Sequence, residues 1–203
     1  MRPLLECSAG RGGAAGASRF VWALCGGYRV NSRAHRFVLL GIVVCTIVSL
    51  DQITKAYIAN SMMLHESLAI IPGFFHLTYI RNPGAAFGIM GTTSSGFRLI
   101  FFFLTSLFAM GLLLTIFLRL DPRDWWGQLT IASIFGGAIG NFIDRIQYGE
   151  VIDFLDFFVK GYHWPAFNVA DMAISVGVCS LLVLFAFDKR RSHLTPQEDS
   201  PLS

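Results

Sequence analysis

Apolar residues in this chain collect into long runs divided by short polar stretches. A helix rises ~1.5 Å per residue, so about 20 apolar residues in succession reach across the ~30 Å hydrocarbon layer of a bilayer. Four runs have that length: Phe37–Ile58, Phe97–Leu118, Trp126–Ile146 and Phe167–Phe187. The second is nearly free of polar residues. The third is diluted by glycines and closes on Asp144-Arg145, and the fourth carries Asp171 as its only charge. All four predict membrane-spanning helices.

Between the first two runs, the 59–96 stretch alternates Phe75, Leu77 and Tyr79 with His76, Thr78 and Ile80 ahead of an Asn-Pro-Gly turn signal. This predicts a short strand pair lying at the membrane surface. Residues 1–36 are rich in Gly, Ala, Ser and Arg and lack a sustained apolar run, so a mobile cytoplasmic extension is expected and a cleaved secretory signal is not. The expected membrane domain is 37–188, followed by a cytoplasmic tail, 189–203.

Composition agrees with a membrane protein: 54% of the 203 residues are hydrophobic, 14% are charged, and mean hydropathy is +0.56. Charge then sets orientation, because cytoplasmic ends of spans are enriched in Lys and Arg. With four spans, both termini and the 119–125 loop share one side and hold eleven of the sixteen basic residues. The termini are therefore expected in the cytoplasm, with the 59–96 and 147–166 loops outside. The basic residues are scattered along the chain, so no nucleic-acid partner is expected. Cys7, Cys25, Cys45 and Cys179 have no CxxC spacing, and no metal site is expected.

An ionisable side chain inside a span costs a few kcal/mol or more, so each needs a partner or a task. Asp51 and Lys55 sit four apart with the acid first, the favourable order for a helical ion pair. Asp144 and Arg145 fit either structural support or contact with a substrate. Gly136 and Gly140 have the spacing that lets helices pack closely and would bring Asn141 near a neighbour. Asp171 has no basic residue near it in sequence. A carboxyl there would hold its proton more tightly through desolvation, and a second carboxyl, Asp153 or Asp156, would let the two share one proton. Such a pair can activate water with its ionised member and donate a proton from the other. HExxH, GxSxG and Walker patterns do not occur. Buried Asp51, Asp144 and Asp171 would also suit a small transporter or proton channel, or a structural subunit.

DQITK (51–55), NPGAAFG (82–88), GNFIDR (140–145), VIDF (151–154) and PAFNVADMAI (165–174) stand in that order, each at the same face of the predicted bundle. In this the chain resembles the lipoprotein signal peptidase family, signal peptidase II, over about residues 37–188. The resemblance implies an all-α integral membrane protein of four transmembrane helices with a small extracytoplasmic β-cradle. It implies an aspartic endopeptidase without a cofactor, a monomer in the bacterial inner membrane with its site at the periplasmic face. Its substrates would be diacylglyceryl-modified prolipoproteins reached through membrane lipid and cut on the N-terminal side of the lipidated cysteine. The family's catalytic pair falls on Asp153 and Asp171, and its supporting residues on Asp51, Asn82, Asn141, Asp144, Arg145 and Asn168. Asp156 has no counterpart, which leaves it an interfacial role. Met172 stands where the family pattern leads one to expect Ser or Thr.

Overall fold

The computed structural model describes residues 32–84 and 94–194. The expected extension up to Asn31, the Ala85–Gly88 part of NPGAAFG, and the tail from Thr195 lie outside the described residues. Four long helices form: α1 (Ser32–Ser61), α2 (Ser95–Arg119), α3 (Trp125–Tyr148) and α4 (Val169–Leu194). Each contains one of the four apolar runs. α1 starts ahead of its run, at Ser32 and not at Phe37, and α4 carries on past residue 188.

Local chemistry accounts for several helix ends. Ser94 caps α2 by accepting from the Phe97 N–H, and Asp124 caps α3 by accepting from the Gly127 N–H at 2.9 Å. Gly149, at φ 75°, ends α3 in the left-handed conformation that glycine takes without a Cβ clash.

α1, α2 and α4 are long and apolar enough to cross a bilayer. α3 has the length but is more polar, and its place in the bundle explains why. It packs against all three other helices, so its Gln128, Thr130, Asn141 and Asp144 are buried against protein. Glycines let its neighbours approach. The Cβ position of Gly136 lies 3.3 Å from Val44 Cα and Ile47 Cβ of α1. That of Gly137 falls on the Ala170 carbonyl of α4, and that of Gly140 lies 2.6 Å from Asp51 Oδ2 and 3.2 Å from Ala170 Cβ.

At one end of the bundle a small β-structure is present, as the resemblance implies, so all-α describes the helices and not the whole chain. In place of one strand pair there is a four-stranded antiparallel sheet in the order β1 (Ser67–Ile71), β2 (Phe75–Asn82), β3 (Val151–Val159), β4 (Tyr162–His163). β3 occupies the middle of what reads in the sequence as the 147–166 loop. Its β-branched and aromatic residues suit a pleated surface. Val151 to Phe154 are all buried, so the alternation that marks a one-sided strand is missing from VIDF. Lys160 (φ 51°) and Gly161 (φ 83°) form the two-residue hairpin turn into β4. The chain then returns along β3, with the Phe167 N–H donating to Leu155 O and the Leu155 N–H to Phe167 O, and this delivers residue 168 to the start of α4.

Candidate active site

Asn168 stands immediately before α4. Its Oδ1 accepts from the Asp171 N–H at 2.9 Å, while Asp171 Oδ2 accepts from the Asn168 N–H at 3.2 Å. This is the reciprocal pair of a capping box, in which residues three apart satisfy backbone donors that a helix start leaves open. Asp171 therefore sits in the first turn of α4, where the helix dipole favours negative charge. Its Oδ1 accepts from Asn141 Nδ2 at 2.7 Å.

Asp153 comes from β3 and is 2% exposed. Both oxygens receive amide N–H groups, Oδ1 from Asn168 Nδ2 at 2.8 Å and Oδ2 from Asn82 Nδ2 at 2.9 Å. Asn82 ends β2, beside β3 in register, and is held by the Gly84 N–H donating to its Oδ1 at 2.9 Å. Burial pushes the Asp153 carboxyl up from the ordinary 3.8 to about 7; the amides of Asn82 and Asn168 oppose the rise and the charge of Asp171 adds to it. Asn168 joins the two acids directly, with its Nδ2 on Asp153 and its Oδ1 on the backbone of Asp171.

Behind the pair lies a cluster whose Asp51, Lys55, Asn141 and Asp144 are buried and whose Gln52 is half-buried. Lys55 Nζ donates to Asp51 Oδ2 at 2.7 Å and Asn141 Oδ1 at 3.0 Å, and forms an ion pair with Asp144 Oδ2 at 2.8 Å. Gln52 Nε2 donates to Asp144 Oδ1 at 2.9 Å and to Gly140 O at 3.2 Å. The two carboxylates also hold neighbouring elements: Asp51 Oδ1 accepts from the Ala170 N–H of α4 at 2.9 Å, and Asp144 Oδ2 from the Ile152 N–H of β3 at 3.1 Å. α1, α3, α4 and β3 thus meet at one polar knot inside an apolar bundle.

The expected Asp51–Lys55 ion pair is present, and Asp144 joins it. Asp144 turns to Lys55 and Gln52, while Arg145, its neighbour in sequence, donates from Nη1 to Asn141 O at 3.1 Å and lies over the Phe102 ring at 5.6 Å. From there it feels the charges of Asp171, Asp144 and Asp153. Asp156 is not part of this group. It pairs with His163 Nδ1 at 3.0 Å near the β3–β4 hairpin, where His163 is 55% exposed. Sequence reasoning gave Gln52 no part in the site and took Lys55 only as the partner of Asp51. The N-x-x-D signature of the capping box is readable in FNVAD.

Comparison with known proteins gives a consistent result. A family model described as Signal peptidase (SPase) II matches residues 43–187. The lipoprotein signal peptidase of Syntrophus aciditrophicus is 49% identical over 146 residues, covering 72% of this chain and 91% of the relative. That of Desulforapulum autotrophicum is 45% identical over 161 residues, covering 79% and 98%. A solved bacterial membrane enzyme superposes with a TM-score of 0.68 at 32% identity, covering 81% of this chain and 94% of that one.

Proposed function

The chain belongs to the signal peptidase II family, membrane aspartic peptidases that remove signal peptides from prolipoproteins, and on that premise we propose that Asp153 and Asp171 are its catalytic pair. The observation that carries this reading is the bracketing of both carboxyls by donors alone: Asn82 and Asn168 on Asp153, Asn141 and the Asn168 N–H on Asp171. Asp153, held at about 7, keeps a proton near neutral pH. Asp171, at the start of α4, is the base. Asp171 takes a proton from water as the oxygen attacks the scissile carbonyl, and Asp153 gives its proton to the carbonyl oxygen. The tetrahedral intermediate collapses when the proton on Asp171 passes to the leaving amine and one hydroxyl of the gem-diol returns its proton to Asp153, which restores both acids to their starting states. The amides of Asn82, Asn141 and Asn168 fix both carboxyls throughout. Arg145 meets the substrate backbone.

The substrates are prolipoproteins carrying a diacylglyceryl cysteine, cut on its N-terminal side. All four helices span the inner membrane of a bacterium, α3 shielded from lipid by the others, with both termini cytoplasmic and the sheet and site at the periplasmic face. The enzyme acts as a monomer on substrate that arrives through the lipid. The test is cleavage of a diacylglyceryl-modified precursor by purified enzyme in detergent micelles, comparing wild type with D153N and D171N. Each substitution should lower kcat by about 100-fold or more. Cleavage at the wild-type rate by either folded variant overturns the pair.

A further inference from the structure

We propose that Lys55 is a positioning residue for catalysis, acting through Asn141 to hold Asp171 in its working hydrogen-bond arrangement. The proposal rests on the Asp153–Asp171 reading above and adds a residue to it. An asparagine amide presents a carbonyl from one side and an NH2 from the other, and the partner on one side dictates what the other side offers. For Asn82 and Asn168 that partner is a backbone N–H, from Gly84 and Asp171 respectively, which can only donate. Each is thereby obliged to turn its NH2 to Asp153. Asn141 has no such backbone donor on its Oδ1. The obligate donor there is the Lys55 ammonium at 3.0 Å, supported by Asn168 Nδ2 at 3.1 Å. An ammonium has three protons and no lone pair, so Asn141 must face it with oxygen and must give Nδ2 to Asp171, which it does at 2.7 Å.

Lys55 is itself fixed. Three oxygens surround its ammonium, Asp51 Oδ2 and Asn141 Oδ1 as hydrogen-bond acceptors and Asp144 Oδ2 as an ion-pair partner, and the side chain is 2% exposed. The two carboxylates satisfy its charge, and the amide is the one neutral acceptor, the route by which the ammonium reaches the acids of the site. Packing alone does not call for this third contact. An ion pair locking α1 to α3 is complete with Asp51 and Asp144. Removing the ammonium leaves only Asn168 Nδ2, which also serves Asp153 and the Ile152 carbonyl, to hold the Asn141 oxygen, and the amide can then turn over. Its oxygen would then face Asp171, an arrangement in which only a protonated Asp171 can pair with it and no base is left to activate water.

The experiment compares wild type, K55M, N141A and the K55M/N141A double variant for kcat and KM on a lipidated precursor, with thermal unfolding measured alongside. The K55M/D144N protein is included because it removes one positive and one negative charge together and leaves the net charge of the cluster as it was. D171N serves as the reference for the dyad. The expected result is a fall in kcat of about tenfold or more in K55M/D144N, with KM unchanged, as expected for a lost orientation of one hydrogen bond. The losses in K55M and N141A should be non-additive, the double variant being no slower than N141A. Additive losses, or a change carried by KM alone, would overturn the role of Lys55. So would failure of both Lys55 variants to fold while N141A folds, since Lys55 would then serve helix packing and not the site. An active D171N would overturn the dyad reading instead, which keeps the two failures distinct.

Discussion

Replacing Asp153 by Asn should change stability in opposite directions at the two ends of the pH range. In the folded protein the carboxyl is held at about 7 against an ordinary 3.8. A carboxyl whose folded value is raised favours folding most where it is protonated in both states, below about pH 4, and that advantage is lost as pH rises through about 7. The loss amounts to about 4 kcal/mol at about pH 8, taking ~1.36 kcal/mol per unit. The amide that D153N introduces has no charge to desolvate and avoids that loss. It has its own cost, because its NH2 must stand against the amide N–H of either Asn82 or Asn168, both of which donate to Asp153 in the native site. A buried donor left facing a donor costs about 1–3 kcal/mol at any pH. D153N should therefore be less stable than wild type by about 1–3 kcal/mol near pH 4 and more stable by a similar amount near pH 8. Thermal unfolding in detergent micelles across that range should give stability curves that cross. A deficit of constant size at every pH would refute the raised Asp153 carboxyl, and with it the assignment of the proton to that residue.

Two further substitutions separate the site from its surroundings. G137A places a methyl group on the Ala170 carbonyl and 2.8 Å from Ile174 Cγ1; forcing α3 and α4 apart should cost about 1–3 kcal/mol, seen as a lower unfolding temperature, and should slow cleavage because Asn141 and Asp171 stand on opposite sides of that contact. D156N loosens only the partly exposed pair with His163. Its cleavage rate should stay within about twofold of wild type, because the Asp156–His163 pair makes no contact with Asp153 or Asp171.

The helices were legible because the hydrocarbon layer demands length and apolarity together, and those are properties of composition. Asp51 with Lys55 was legible for a similar reason, since residues four apart on a helix share a face. Asp144 with Arg145 was not: adjacent helical residues point in different directions, so Asp144 could turn to Lys55 of another helix while Arg145 lay over Phe102. Asp153 and Asp156 could not be separated by hydropathy. The two lie three apart on β3, and side chains at odd spacing point to opposite faces of a strand. β3 itself was hidden because Val151–Phe154 is buried throughout and shows no alternation. The family motifs separated the two acids where local pattern did not. Gly136 and Gly140 were expected to allow close helix packing, and they do; Gly137 between them, against α4, carried no comparable spacing signal.

The Asn168 cap narrows what this helix start can become. Across proteins Ser, Thr, Asp and Asn exchange at such positions with little loss, so a cap is ordinarily a place where a sequence can drift or be engineered. Here the same side chain gives an acceptor to the Asp171 N–H and, from its other end, donors to Asp153 and the Ile152 carbonyl. An aspartate would keep the acceptor and set oxygen against oxygen at Asp153, and a hydroxyl is too short to serve both ends. The stability of α4 and the geometry of the acids cannot then be tuned separately at residue 168. An effort to stabilise this membrane enzyme has its freedom at the Ser94 and Asp124 caps, and should leave this one as it is.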